Sequence, residues 1–383
     1  MAKVSLQKCD EYDMNEIKTA LLKNVEDLGG LEKYISPGEK VLLKANLLMK
    51  RTPEEATTTH PIFVKALAEI LSEFGAVVIV GDSPGGPFNE KALRGIYKSC
   101  GYDIIPDKEK NISLNYNTDQ ITIHRDDLFL LKRIEVIEII EKVDKVISVS
   151  KLKTHGMTVY TGAVKNMFGT IPGIHKAEYH FKMPKINDFT NMLLDVCQNA
   201  NPVLSFMDAV VGMEGAGPSA GDPIKIGAVL ASDSPYHLDV IATKLVGIKS
   251  TEVPTIERCM ERGIIKKDYS DIEMTGLYLT DFPKMTIRKP RVGGIGFLDG
   301  KIPSFISKPI INLLSAKLKF DYDKCTKCGE CERACPSGAI VIDEEGPKVD
   351  YDKCIRCFCC QELCPQKAVK IYRNPILARI IKF

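Results

Sequence analysis

Two runs of cysteine near the end of the chain restrict its fold and chemistry more than any other feature. They read Cys325-x2-Cys328-x2-Cys331-x3-Cys335-Pro336 and Cys354-x2-Cys357-x2-Cys360-x3-Cys364-Pro365. Three thiolates two residues apart let one tight loop reach three irons of a cube, and the remaining corner must be served from elsewhere. That is the ligand pattern of a bacterial-type [4Fe–4S] site. Zinc is usually held by two separated pairs, not by three-plus-one runs ending in Cys-Pro. Disulfides would be out of place in a chain whose first residues, Met1-Ala2-Lys3-Val4-Ser5, lack an apolar signal core.

The runs also form an internal repeat. Asp321-Tyr322-Asp323-Lys324-Cys325 recurs as Asp350-Tyr351-Asp352-Lys353-Cys354, and Ala339-Ile340-Val341-Ile342 is echoed by Ala368-Val369-Lys370-Ile371. Each half reads as strand, cluster loop, short helical turn and strand, giving a small α+β pair of pseudo-symmetric halves. This stretch resembles the two-cluster ferredoxins. In those proteins the fourth cysteine of each run serves the other cluster. The resemblance assigns Cys325, Cys328, Cys331 and Cys364 to one [4Fe–4S] cluster, and Cys335, Cys354, Cys357 and Cys360 to a second. The halves differ at one place, where Phe358-Cys359 replaces Gly329-Glu330. Cys359 is read as an extra thiol outside the ligand set, and Phe358 as a shield against water.

Nine of the 13 cysteines fall between Cys325 and Cys364. The other four (Cys9, Cys100, Cys197 and Cys259) are scattered singly, as small buried apolar residues are. A formal charge of +2 gives no reason to expect a nucleic-acid partner. No apolar run approaches the roughly 18 residues of a transmembrane segment, and the expected location is the cytoplasm.

The 383 residues leave room for a large domain ahead of the cysteine module. Residues 1–282 alternate strand-like and helix-like runs. Residues 40–47 and 76–80 read as apolar strands around a helix over 61–74, with Val64, Leu67, Ile70 and Leu71 on one face. The pattern continues with strands over 145–150, 203–207 and 226–230 and helices over 188–199 and 236–246. Such βαβ alternation predicts an α/β fold with a mostly parallel sheet. Residues 283–319 form a basic linker, 320–372 the two-cluster module and 373–383 a basic apolar tail. Ser307 is a candidate cap for a short helix in the linker, with Ile310, Leu313 and Leu314 on one face. Linker and tail are read as packing the module onto the large domain, with an anionic membrane surface or acidic redox partner as the alternative.

Three loops of the large domain are candidates for chemistry. Gly81-Asp82-Ser83-Pro84-Gly85-Gly86-Pro87 follows a strand and can present amides to an anion, although it matches neither phosphate-loop fingerprint. Residues 150–173 carry Lys153, His155 and Lys165 as catalytic candidates, expected in a loop beyond a strand's carboxyl end, where open sheets bind ligands. His175 and His180 follow. Residues 207–218 carry Asp208 and Glu214 among glycines, for acid–base work or cation binding. With Lys44, Asp82, Asp208 and Glu214 are the candidates for holding a further ligand.

These three segments, in this order, resemble the family called domain of unknown function 362, over roughly residues 1–280. Members of that family often carry a C-terminal [4Fe–4S] module. A second likeness, over Thr161-Gly162-Ala163-Val164-Lys165, is to nickel-dependent lactate racemases. It implies Lys165 as a cofactor attachment point and His155 as a base or ligand. Three functions follow: a redox enzyme passing electrons between clusters and a small molecule, a carrier whose large domain docks a redox partner protein, or a metallocofactor-assembly protein.

Overall fold

The computed structural model describes residues 1–173, 175–290 and 316–372. Strands β1 (Ala2–Lys8), β2 (Lys40–Lys44), β3 (Val77–Gly81) and β4 (Ile112–Leu114) open the chain. A small hairpin follows, β5 (Gln120–His124) with β6 (Arg133–Ile137). Then come β7 (Lys145–His155), β8 (Val159–Thr161), β9 (Leu204–Glu214), β10 (Asp222–Ser232) and β11 (Ile272–Gly276). The hairpin apart, these strands make one sheet in the order β11-β1-β10-β9-β7-β2-β3-β4, with β8 beside β7. β9, β7, β2, β3 and β4 run parallel, while β10 is antiparallel to both β9 and β1.

Helices cover both faces, as a parallel sheet requires. Helices α1 (Met14–Leu28) and α2 (Pro61–Glu73) lie on one face, followed in the chain by α3 (Glu90–Ser99). α4 (Ala163–Asn166) precedes α5 (His175–Lys182), and α6 (Ile186–Ala200), α7 (Pro235–Leu245) and α8 (Pro254–Glu261) cover the other face. The alternation along β2 explains the division. Val41 and Leu43 point towards Ile17, Phe63 and Leu67, whereas Leu42 points towards Leu194, Leu238 and Ile241. Helix ends follow sequence chemistry. The Asp13 carboxylate accepts from Asn15 N and Glu16 N at the start of α1, and Gly29 closes it at φ 98°.

The structure moves two expected loops into strands. Lys151 to His155 continue β7, because β8 folds back as its antiparallel partner and β9 pairs on the other side. Met207 to Glu214 likewise belong to β9, which β10 extends as a hairpin. The helix expected around Ser307 and the tail over 373–383 lie outside the described residues.

The cysteine module contains β12 (Lys317–Phe320), α9 (Glu330–Arg333), β13 (Ile340–Ile342), β14 (Pro347–Val349), α10 (Cys359–Glu362) and β15 (Val369–Tyr372). The outer strands β12 and β15 pair, as do β13 and β14, so the two halves clasp one another. Contacts around α10 fasten this module to the large domain. Arg51 donates to the carbonyls of Cys364 (3.0 Å) and Pro365 (2.9 Å). Ser219 Oγ donates to Glu362 O at 2.7 Å, and Gln361 Nε2 donates to Ala216 O at 2.9 Å. Gly85 lies so close to Leu363 that a Cβ there would come within 2.7 Å of its side chain.

Candidate functional site

The cysteines surround two separate spaces. Cys325, Cys328, Cys331 and Cys364 line one, and Cys335, Cys354, Cys357 and Cys360 line the other. Corresponding backbone amides donate to the last thiolate of each run: Ala339 N to Cys335 Sγ at 3.2 Å and Ala368 N to Cys364 Sγ at 3.3 Å. Amides aimed at sulfur favour its thiolate form and help set the potential of an iron–sulfur cluster, so these residues fit that group. Phe358 lines the second space and is buried. It holds the left-handed backbone (φ 64°) that Gly329 supplies in the first half (φ 82°). Cys359 lines neither cysteine space, although its thiol lies against that of Cys357.

Cys359 reaches a third cavity, of about 180 Å³, between the module and the carboxyl end of the sheet. One wall is cysteine module, with Cys359, Glu362 and Leu363 from α10 and the loop after it. The opposite wall is built from the ends of parallel strands, where open sheets place their ligands. Lys44 ends β2 and Asp82 follows β3; their Nζ and Oδ1 are 2.5 Å apart, with both side chains almost fully enclosed. Burial lowers the Lys44 pKa against the opposing pull of Asp82. Lys153, on β7, donates to Asn46 Oδ1 and Thr57 O, both at 2.6 Å. Burial, then the charges of Lys165 and Lys151, push Lys153 down to about 7.

Lys165 enters from α4, a single turn fixed by a buried acid. Asp239 on α7 accepts from Ala163 N (2.7 Å), Val164 N (3.1 Å) and Tyr160 Oη (3.1 Å). Burial raises the Asp239 carboxyl to about 7 in spite of these donors. Gly162 must lack a side chain, since a Cβ would lie 2.1 Å from Asp239 Oδ1. Lys176 and His180 come from α5. Lys176 Nζ donates to Ser83 O, and burial is the main cause that lowers its pKa to about 7. Gly169 sits where a Cβ would fall 2.3 Å from Lys44 Nζ, so only a bare backbone fits there.

His155 lies just behind this wall, fully buried. Its Nδ1 accepts from Met157 N (3.1 Å) and Thr158 N (3.3 Å), which leaves Nε2 facing Glu362 Oε1 at 3.0 Å. Burial and the charge of Lys165 hold His155 down at about 4. Burial opposes ionisation of Glu362, yet His155 and Lys165 keep its carboxyl at about 2. A neutral imidazole therefore lies against a carboxylate where β7 meets α10.

The structure brings together Lys44, Asp82, Lys153 and Lys165, with His155 adjacent. Asp208 and Glu214 stand apart, against expectation. Asp208 lies within β9 and accepts from Lys151 Nζ (2.8 Å), Tyr12 Oη (2.8 Å) and His60 N (3.0 Å), a closed set away from the cavity. Glu214 accepts from Arg288 at 2.7 Å on the surface side of the hairpin. Sequence reasoning did not single out Lys176, Glu362 or Asp239. Glu362 was within reach, because it lies between Cys360 and Cys364 where the first half of the repeat carries Arg333.

Comparison with known proteins adds the following. Residues 41–244 match the family described as domain of unknown function (DUF362), and residues 317–365 match a 4Fe-4S dicluster domain. A thylakoid-associated protein of Synechocystis sp. is 31% identical over 254 residues, spanning 66% of this chain and 77% of its own length. The lactate racemase apoprotein from Thermoanaerobacterium thermosaccharolyticum is similar in part, at 12% identity and a TM-score of 0.38, over 65% of this chain and 57% of that one. A protein from Thermotoga maritima is similar at 17% identity and a TM-score of 0.31, over 54% and 52%. The chain thus spans little more than half of either solved structure, and at these scores neither bears on activity. Among the described residues, no helix is long and apolar enough to cross a membrane. By its large domain the chain belongs to the DUF362 family, and it carries an iron–sulfur-binding module of the 4Fe-4S dicluster type behind that domain.

Proposed function

We propose that this protein is a redox enzyme that exchanges electrons between two [4Fe–4S] clusters and a small molecule held in the cavity between its domains. The clusters would be held by the two crossed cysteine sets, and they supply single electrons at a potential tuned by hydrogen bonds and burial. The observation that carries the reading is the shared wall. Helix α10 begins beside Cys357, contains Cys360, and presents Cys359 and Glu362 to the same cavity as Lys44, Lys153 and Lys165. A pure carrier has no need for a lysine-lined cavity enclosed at its own cluster helix.

In this reading the protein's residues have separate tasks. Lys153 and Lys165 bind and orient the molecule. Lys153, lowered to about 7 mainly by burial, can also lend or take a proton near neutral pH. The Lys44–Asp82 pair fixes the floor of the cavity. Arg51, Ser219 and the His155–Glu362 contact hold the module against the strand ends and exclude water from the seam.

The test uses full-length protein purified without oxygen. It is reduced with dithionite, and its visible absorption is followed as small-molecule fractions of a cell extract are added. Recovery of absorption is expected, and in Lys165→Met it should slow by about tenfold or more with iron content unchanged. Recovery only with protein fractions would identify a carrier and end this proposal.

A further inference from the structure

The charges around the cavity do not balance. Four lysines line it, Lys44, Lys153, Lys165 and Lys176, against two carboxylates, Asp82 and Glu362. Arg333 at the rim brings its own acid, Glu330, at 2.7 Å. Asp82 is taken by Lys44, and Glu362 lies against the neutral His155. Among the described residues, no carboxylate lies within ion-pair distance of Lys153, Lys165 or Lys176. With all four lysines charged, the cavity carries an excess of two positive charges in a space mostly removed from water. Lys153 is fully enclosed and Lys165 and Lys176 are half-buried, and cations drawn out of water without a counter-charge are costly for a fold to hold.

Two further groups point to an absent acceptor or donor. Ser83 Oγ and His180 Nδ1 both line the cavity, are 1% and 4% exposed, and lack a hydrogen-bond partner. His180 is fixed by stacking on Phe189, with ring centroids 4.3 Å apart. Native structures leave few buried polar atoms unpaired. Asp82 Oδ1 and Glu362 Oε1, in residues lining the same cavity, also lack a hydrogen bond but lie against Lys44 and His155, whereas Ser83 Oγ and His180 Nδ1 have no such neighbour and mark a place that a ligand completes.

From this geometry we propose that the cavity is a binding site for a small dianion, a dicarboxylate or a phosphate monoester, held by Lys153, Lys165 and Lys176 with Ser83 and His180. This rests on the reading above in taking the cavity as the working site, and it adds the chemical class of the molecule. A dianion supplies the two missing negative charges, and its oxygens give Ser83 and His180 their partners. The short chain of a dicarboxylate or a phosphate ester is also in keeping with a cavity of about 180 Å³. Burial is the main cause that lowers Lys153 and Lys176, with neighbouring lysines adding to it, and an anion in the cavity would oppose both effects.

The test measures binding alone, on oxidised, cluster-loaded, full-length protein with no electron donor, by calorimetric titration. The probes are succinate, inorganic phosphate and uncharged succinamide. At least one dianion should bind and succinamide should not. Preference for succinate or for phosphate tells the two sources apart, and either supports the site, as does a dianion recovered from the acid extract of the purified protein. Lys165→Met and Lys176→Gln should each weaken binding by about tenfold, with Lys176→Arg close to the parent. Unchanged iron content and melting temperature show that the variants are folded. The proposal is overturned if neither dianion outbinds succinamide and the extract holds none, or if both lysine variants bind as the parent does. Because no electron moves in this assay, the dianion site can stand while the redox reading fails, and the reverse.

Discussion

Two buried lysine–aspartate pairs stand two strands apart in the same sheet, and they have different surroundings. Lys151 and Asp208 are enclosed by Tyr12, which hydrogen-bonds both, and by the backbone amide of His60. Lys44 and Asp82 are equally short of solvent but form the floor of the cavity. The first pair is closed on itself and has a structural role. The second has room beside it for water or a ligand. An ion pair in a core is therefore no sign of function by itself; the open space next to it is.

The largest effect should come from opening the closed pair. Asp208→Ala strands the Lys151 ammonium in the core and removes the acceptor of Tyr12 and His60. Breaking a buried pair from one side costs about 3–5 kcal/mol. Urea unfolding followed by circular dichroism should show that loss, while protein that still folds should keep its iron content and its dianion affinity. A loss of affinity as large as the loss of stability would mean that the two pairs are not separate.

At the cavity floor, Asp82→Asn should be milder. Leu47 N still finds an acceptor in the amide oxygen, and Lys44 can recover part of its solvation from the cavity, so the cost falls to about 1–2 kcal/mol. The same change removes one negative charge from a site with too few. Dianion affinity should therefore rise, by about threefold or more, in the same calorimetric titration. Equal stability losses in Asp82→Asn and Asp208→Ala would remove the distinction between open and closed pairs.

How much of this was legible in the sequence follows the range of the interactions. The cysteine module could be read in detail, because ligand spacing, the repeated Asp-Tyr-Asp-Lys-Cys and the Cys-Pro endings are all local. The parallel sheet could be read from apolar runs alternating with helical faces. Lys44 and Asp82 were found because each sits at or just beyond a strand end, and Lys153 and Lys165 because they follow the apolar run over 145–150. Asp208 and Glu214 looked similar by that criterion, but β9 runs on from Met207 through Asp208 to Glu214 once β10 pairs with it, which is a non-local event. Glu362 and Lys176 reach the cavity only because two segments fold over it, and nothing near either residue in the chain announces that.

The smallest expected effect probes the closed network through its histidine. His60 caps α2, with Nδ1 accepting from Ile62 N at 3.3 Å, and its ring stacks on Tyr12 at 3.6 Å. Burial, aided by Lys151 and opposed by Asp208, lowers its pKa from the ordinary 6.5 to about 4. The unfolded chain then takes up a proton at His60 on acidification before the folded one does. Stability from this group is fully present above pH 6.5 and is lost as pH falls towards 4. His155 and His180, lowered to about 4 and about 3, add in the same direction. His60→Asn keeps a capping oxygen but cannot titrate. Its stability should fall less steeply than the parent's, by about 1–2 kcal/mol between roughly pH 7 and 5. Parallel curves for the two proteins would mean that His60 carries its proton in the folded state, so that the network around Asp208 and Lys151 is wetter than the structure draws it.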